Sequence, residues 1–555
     1  MRKTIIAIAS CIVLLLLGYA GFRGYKVWKQ NHWLTMAKDF AAKADARNEI
    51  LCLQQLLRIN PRNLEACRMM ADLTEAARSP SALIWRQRTL ELNPNSVEDR
   101  LALAQTAMLF KDYATATNAL AKVKEADQKN ANYQNLAGVV DISLGQLADA
   151  AGHFSEAARL EPANPTPRLN LAILRLHGSN TLDLAEARID LKRISMEATN
   201  FTMRCQATRE LIGDALRFKD TATALTLSQA LVQPTNAFFS DKLLRLDVLK
   251  TTGSAELKPA IAQYERDAGS NGAAISEMAT WLMTRTSPAE TLTWMHTLPM
   301  ATQTNQPAAT LIAGCQVLTQ DWTGLQNSLS KQNWDELDFA RHAFLARSLR
   351  GQKLEGAATA EWAAAMQLTR DGKAGLTALF RLAAQWQWDD EAEQILWKII
   401  NQYPEESWAG QTLEQALIMG GRTRSLMQLF SVQAKRMPAD MEIKNNLAMT
   451  AMLLNSQEVN PYGLAREAYD KMPQNPSYAS TYAFSLYQQK QYAEALKVMQ
   501  KLTPKQLNDP SIAGYYGLIL KATGDNAKAQ SYLGWALKGK LLPEEQKLFQ
   551  QAQSH

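Results

Sequence analysis

The chain contains no Cys-x-x-Cys pair and no His-Glu-x-x-His run, so neither a structural zinc site nor a metallohydrolase centre has a starting point. The six histidines, His32, His153, His177, His296, His342 and His555, are scattered, and no cofactor or metal is expected. There is no Gly-x-x-x-x-Gly-Lys-Ser/Thr loop, no Gly-x-Gly-x-x-Gly after a strand and no Gly-x-Ser-x-Gly elbow. Those absences remove the ordinary phosphate cradles and the hydrolase nucleophile turn. With acidic residues spread along helix surfaces, no catalytic residue is nominated, and the chain is expected not to be an enzyme. The five cysteines, Cys11, Cys52, Cys67, Cys205 and Cys315, are odd in number and read as small buried side chains. A Cys52 to Cys67 bridge is the one pairing left open. The excess of charge is only +6, from 60 basic and 54 acidic residues, and no basic run is interleaved with aromatics. Nucleic acid is therefore not an expected partner.

What the sequence does have is a repeat. From Tyr482 to Ala536 two blocks superpose at a shift of 34: Ala483 on Gly517, Ala495 on Ala529, Met499 on Leu533, Leu502 on Ala536. A small residue, a second small residue twelve later, a large apolar one four on and an apolar one three beyond describe two helices that cross closely. The first-helix small residue continues as a ladder of Ala104, Gly138, Ala172, Gly213, Ala279, Ala313, Ala346, Ala448, Ala483 and Gly517. Second-helix sets follow it: Ala116, Leu120 and Val123, then Ala150, Phe154 and Ala157. Prolines that stop the second helix fall at Pro61, Pro94, Pro162, Pro404 and Pro438. Dividing length by period allows about fifteen hairpins between Trp33 and Pro543.

This pattern, with Lys111-Asp112-Tyr113 and Gly524-Asp525 at inter-helix turns, resembles the tetratricopeptide repeat (TPR) superfamily. The resemblance implies an all-α, right-handed superhelical solenoid of TPR-like hairpins, each burying its faces on its neighbours. It also implies protein partners. Carboxylate-gripping TPR arrays carry Lys, Arg and Asn beside the small position; here Gln105, Asn135, Val139, Asn170 and Ile173 stand there, so extended hydrophobic or helical peptides are the expected ligands.

The N-terminus reads Met-Arg-Lys-Thr, then apolar or small residues from Ile5 to Phe22, then Arg23, Lys26 and Lys29. That run is long enough to span a bilayer, with Tyr19, Phe22, Tyr25 and Trp28 suited to the interface. The expectation is a single-pass inner-membrane anchor with the repeats on the exported, periplasmic side. A signal peptide cut after Ala20 is the rival. The segments expected are 1–29 anchor and basic flank, 30–235 repeats, 236–336 degenerate repeats, 337–543 repeats, and 544–555 a polar C-terminal capping tail. The register gap of 41 between Ala172 and Gly213 is assigned to extra residues in the turn at 177–180 and after Glu197. Nine of the thirteen tryptophans lie between Trp281 and Trp408. Trp386 and Trp388, side by side at an expected turn, are the candidates for an aromatic groove that would take a polysaccharide; added packing volume is the other reading.

Overall fold

The computed structural model describes residues 23–178, 180–370 and 372–554, which divide into two compact units after Trp281. Regular structure among these residues is helical, with no strand. The transmembrane expectation falls on residues 1–22, outside the described residues. Among the described residues no helix is long and apolar enough to cross a membrane.

In the first unit seven hairpins follow one another, from the pair 23–42 and Ala46–Ile59 to the pair Phe239–Thr251 and Leu257–Ala268. In the second, seven run from Ala308–Leu318 with Trp322–Leu329 to Pro510–Ala522 with Asn526–Ala536. The hairpin turn has one recurrent form. The second residue past the first helix takes positive φ, as Ala44, Arg78, Lys111, Gly145, Lys219 and Gly253 do in the first unit. Gln320, Lys353, Gln387, Gly421, Asn455, Lys490 and Gly524 do so in the second. Within each set neighbours are 33 to 35 residues apart, save for Gly145 to Lys219. At Lys111 the turn closes by Asp112 N donating to Ala107 O at 2.9 Å and Lys111 N to Met108 O at 3.1 Å, which satisfies two carbonyls the helix would leave open. The next residue then caps the second helix: Asp112 accepts from Thr115 N, Asp220 from Thr223 N and Asp525 from Lys528 N.

Second helices stop for a local reason. Asn60, Asn93, Glu161, Tyr403 and Met437 precede the five closing prolines, and all leave the helical region, with φ between −139° and −122°. A proline ring crowds the backbone of the residue before it and disfavours the helical conformation there.

The first-helix small residue occupies a fixed place. Ala71, Ala104, Gly138, Ala172, Ala279, Ala448, Ala483 and Gly517 are each the eighth residue of their helix, while Ala313 is the sixth and Ala346 the ninth, both still seven residues before their turn residues Gln320 and Lys353. Gly213 departs from this rule. It lies on the exposed side of Phe201–Arg217, and nothing stands within 4 Å of where its Cβ would be. Fully buried Ile212 stands where the other repeats have a small residue, seven positions before the turn residue Lys219, and clusters with Ala224 of the second helix. The extra length is in the helices as well as the turns: Thr181–Glu197 and Phe201–Arg217 each have 17 residues. Between the last full hairpin of the first unit and Ala308 the helices are irregular, Pro288–Met295 having eight residues and Met300–Thr304 five.

Candidate interaction surfaces

The residues singled out for the repeat sit at helix crossings. Ala104, Ala172, Ala483, Ala495 and Ala529 are at most 1% exposed, and Gly138 and Gly517 are buried. A Cβ on Gly138 would lie 2.7 Å from the Phe154 ring, and one on Gly517 2.8 Å from Leu533 Cγ. Phe154 and Leu533 are the large second-helix residues of the same repeats. These positions set how closely two helices approach; they are not ligand contacts.

The aromatic groove is not formed. Trp386 and Trp388 are 8% and 6% exposed, inside the core of the second unit. Their rings meet edge to face at 5.1 Å; Trp386 packs on Phe344 and Trp388 on Trp362. The intervening Gln387 has φ +58°, so the chain reverses between the two rings and both turn inward. The Arg350 guanidinium lies 3.8 Å over Trp388 and pairs with Glu391 at 2.6 Å. Arg347 stacks over Trp322, and burial with the nearby Arg350 charge holds its pKa below the usual guanidinium value.

Charge ties neighbouring hairpins of the first unit together. Arg68 grips Asp99 through two bonds of 2.7 Å, and Arg209 grips Asp241 at 2.5 and 3.0 Å. Both carboxylates are almost wholly buried. Burial alone would raise the Asp99 carboxyl, but the hydrogen bonds from Arg68 and its neighbours outweigh it and hold it below the ordinary value. Asp214 is buried between Arg188 and Arg217. Sequence reading missed these pairs, although partners 31 and 32 residues apart, close to one period, were a signal it could have used.

Cys52, Cys67, Cys205 and Cys315 are buried free thiols, so the 52 to 67 bridge is not made. Burial raises all four, Cys315 to about 11. Among the described residues no cluster of three His, Cys, Asp or Glu could hold a metal.

The C-terminal segment does more than cover an end. Its helix, Pro543–Ser554, touches four successive hairpins of the second unit, from 407 to 536. Pro543 sits against Gly421, and Thr423 donates to Glu544. Tyr515 donates to Glu545, Lys521 to the Ala552 carbonyl, and Gln530 to the Gln553 carbonyl at 3.0 Å. Phe549, 1% exposed, enters a cluster with Met452, Leu453, Phe484, Tyr515 and Leu518, all from first helices. A Cβ on Gly514 would run into its ring.

No family model matches the chain, and no curated protein matches it. Similar solved structures include one described as functional characterization of Pseudomonas aeruginosa PilF, at 16% identity over 40% of this chain and 98% of that one, with a TM-score of 0.33. The APC/C hetero-tetramer Cut9–Hcn1 aligns at 12% identity over 94% and 96% of the two chains, with a TM-score of 0.27. Naa15/Naa10 bound to HypK-THB aligns at 11% over 95% and 96%, with a TM-score of 0.26. The description of this fold as TPR-like rests on the hairpin geometry itself.

Proposed function

We propose that the chain is a non-catalytic scaffold that binds protein partners through stacked TPR-like hairpins. In this reading residues 1–22 anchor it in the inner membrane, the hairpins stand on the exported side, and its work belongs to envelope assembly or export. The observation that carries the protein-binding part is the face of first helices between 441 and 522, which with Leu533 and Ala536 accommodates a helix laid across it. Such a face offers many modest contacts to a helical or extended peptide. A polysaccharide-binding role is the alternative; the burial of Trp386 and Trp388 removes the stacking platform it would use. The partner is expected to stay bound after any single exposed polar residue is replaced and to be lost when two or more hairpins are deleted. Abolition of binding by one exposed substitution would count against a distributed surface. The anchor is tested by opening the outer barrier of intact cells, digesting with protease and reading the N-terminal mass. Digestion with Met1 retained supports the exported, anchored reading; full protection contradicts the exported orientation.

A further inference from the structure

Elsewhere in the two units a hairpin finds its partners in the adjacent hairpin, as Arg68 does in Asp99, 31 residues on. The helix Pro543–Ser554 breaks that rule: Glu544 meets Thr423 across 121 residues. It packs on the last hairpin, beside Leu533 and Ala536, and also reaches back over earlier hairpins of the stack. The surface beneath is shaped for it. Gly514 leaves the space in which the Phe549 ring lies, and a Cβ on Gly421 would come within 3.0 Å of Pro543.

The helix is, by contrast, poorly built to stay. Its seated face is Glu545, Leu548, Phe549 and Ala552, the i, i+3, i+4, i+7 pattern, with one large side chain fully buried. Glu545 is held by the Tyr515 hydroxyl and by Leu542 N at 2.9 Å, and no basic side chain pairs with it among the described residues. A half-buried carboxylate without a cation is a standing cost of the docked state. Good shape complementarity with weak retention describes a replaceable occupant.

We propose that the first-helix face from 441 to 522, with Leu533 and Ala536 of the last second helix beside it, is a docking site for an amphipathic helix of a protein partner, and that Pro543–Ser554 is the chain's own displaceable stand-in for it. The ligand class follows from the occupant: a helix with an acidic first turn, an aromatic residue at its seventh position and a small residue three further on. This rests on the scaffold reading and adds to it a site and a self-blocking contact.

The probe is a fluorescent peptide of residues 541–554, tested on the full chain. Phe549→Ala in the chain is expected to free the face, so that the peptide binds at least tenfold more tightly than to the unaltered chain. The same peptide carrying Phe549→Ala is expected not to bind. Gly514→Ala is expected to undock the helix, speeding tryptic cleavage at Lys547 within it, and also to refuse the peptide, because the added Cβ fills the ring's space. Equal peptide affinity for the unaltered and Phe549→Ala chains would overturn the proposal. Should Phe549→Ala melt the hairpins by circular dichroism, Ala552→Glu, at the half-buried end of the helix, supplies the same readout. Melting of both variants would overturn it too, since a displaceable helix cannot be required for the fold. Failure of the peptide test, in a chain that still loses a captured protein when hairpins 97–197 are deleted, would overturn this inference and leave the scaffold reading standing.

Discussion

Two glycines that share one ladder in the sequence are expected to respond to alanine with opposite sign. At Gly138 the new Cβ would stand 2.7, 2.8 and 2.9 Å from three carbons of the Phe154 ring, which is wholly buried and has no free direction to move. Overpacking of this kind costs about 1–3 kcal/mol. Alanine returns about 1 kcal/mol of helix propensity, so the net effect is a loss of about 1 kcal/mol. At Gly213 nothing lies within 4 Å, and only the propensity term acts, a gain of about 1 kcal/mol. The assay is hydrogen exchange of the amides in Ala131–Ser143 and Phe201–Arg217 in the full chain, since local openings report on single hairpins. Each 1.4 kcal/mol appears there as a tenfold change in an opening constant. The expected result is faster exchange around Gly138→Ala and slower exchange around Gly213→Ala. Pairing Gly138→Ala with Phe154→Leu should recover part of the loss, because the two sites touch. Stabilisation by Gly138→Ala would refute the idea that this position is fixed by helix approach.

Asp99 has a pKa below its ordinary value, so the stability it contributes is present above the unfolded carboxyl pKa and is lost as pH falls through the lowered one. Acid titration of helix content in the first unit should therefore shift when Arg68→Ala removes its partner, and an unshifted profile would count against the pair. Trp388→Ala should destabilise the second unit by about 3–5 kcal/mol, as loss of a buried aromatic does, and the unaltered chain should show no tryptophan fluorescence change on adding glycans. A glycan-induced shift that Trp388→Ala abolishes would revive the polysaccharide reading.

The period was legible because it is written in side-chain volume. Gly138 and Gly517 cannot be larger under Phe154 and Leu533, and that constraint leaves a sequence trace. The small-residue ladder skips from Ala346 to Ala448, three periods on, and two repeats lie between. The turns at Lys353, Gln387, Gly421 and Asn455 keep a spacing of 34, but a left-handed turn residue can be Lys, Gln or Asn as well as Gly, which hides it from a search by residue type. Gly213 misled for the converse reason: a small residue at almost the right spacing lies on the wrong side of a longer helix. The tryptophan pair looked exposed because two rings two residues apart are hard to bury on one continuous helix; the positive φ at Gln387 removes that difficulty. The polar tail gave no sign of crossing four hairpins, because its grip is one buried ring, the carboxylates of Glu544 and Glu545 and two backbone carbonyls.

The most direct test of the account is hydrogen exchange of residues 543–554 in the full chain, with and without Glu545→Gln, across pH. Burial pushes the Glu545 carboxyl above its ordinary value, with the neighbouring Glu544 adding to it and the bonds from Tyr515 and Leu542 opposing it. Docking strength from this group is then complete below the ordinary carboxyl pKa and is lost as pH rises through the raised one. The account predicts that these amides open more readily than those of Pro510–Ala522, increasingly so toward neutral pH, and that Glu545→Gln slows them and removes the pH dependence. Exchange at the same rate as Pro510–Ala522, unaffected by pH or by Glu545→Gln, would mean that the helix is an integral part of the stack and would contradict the claim.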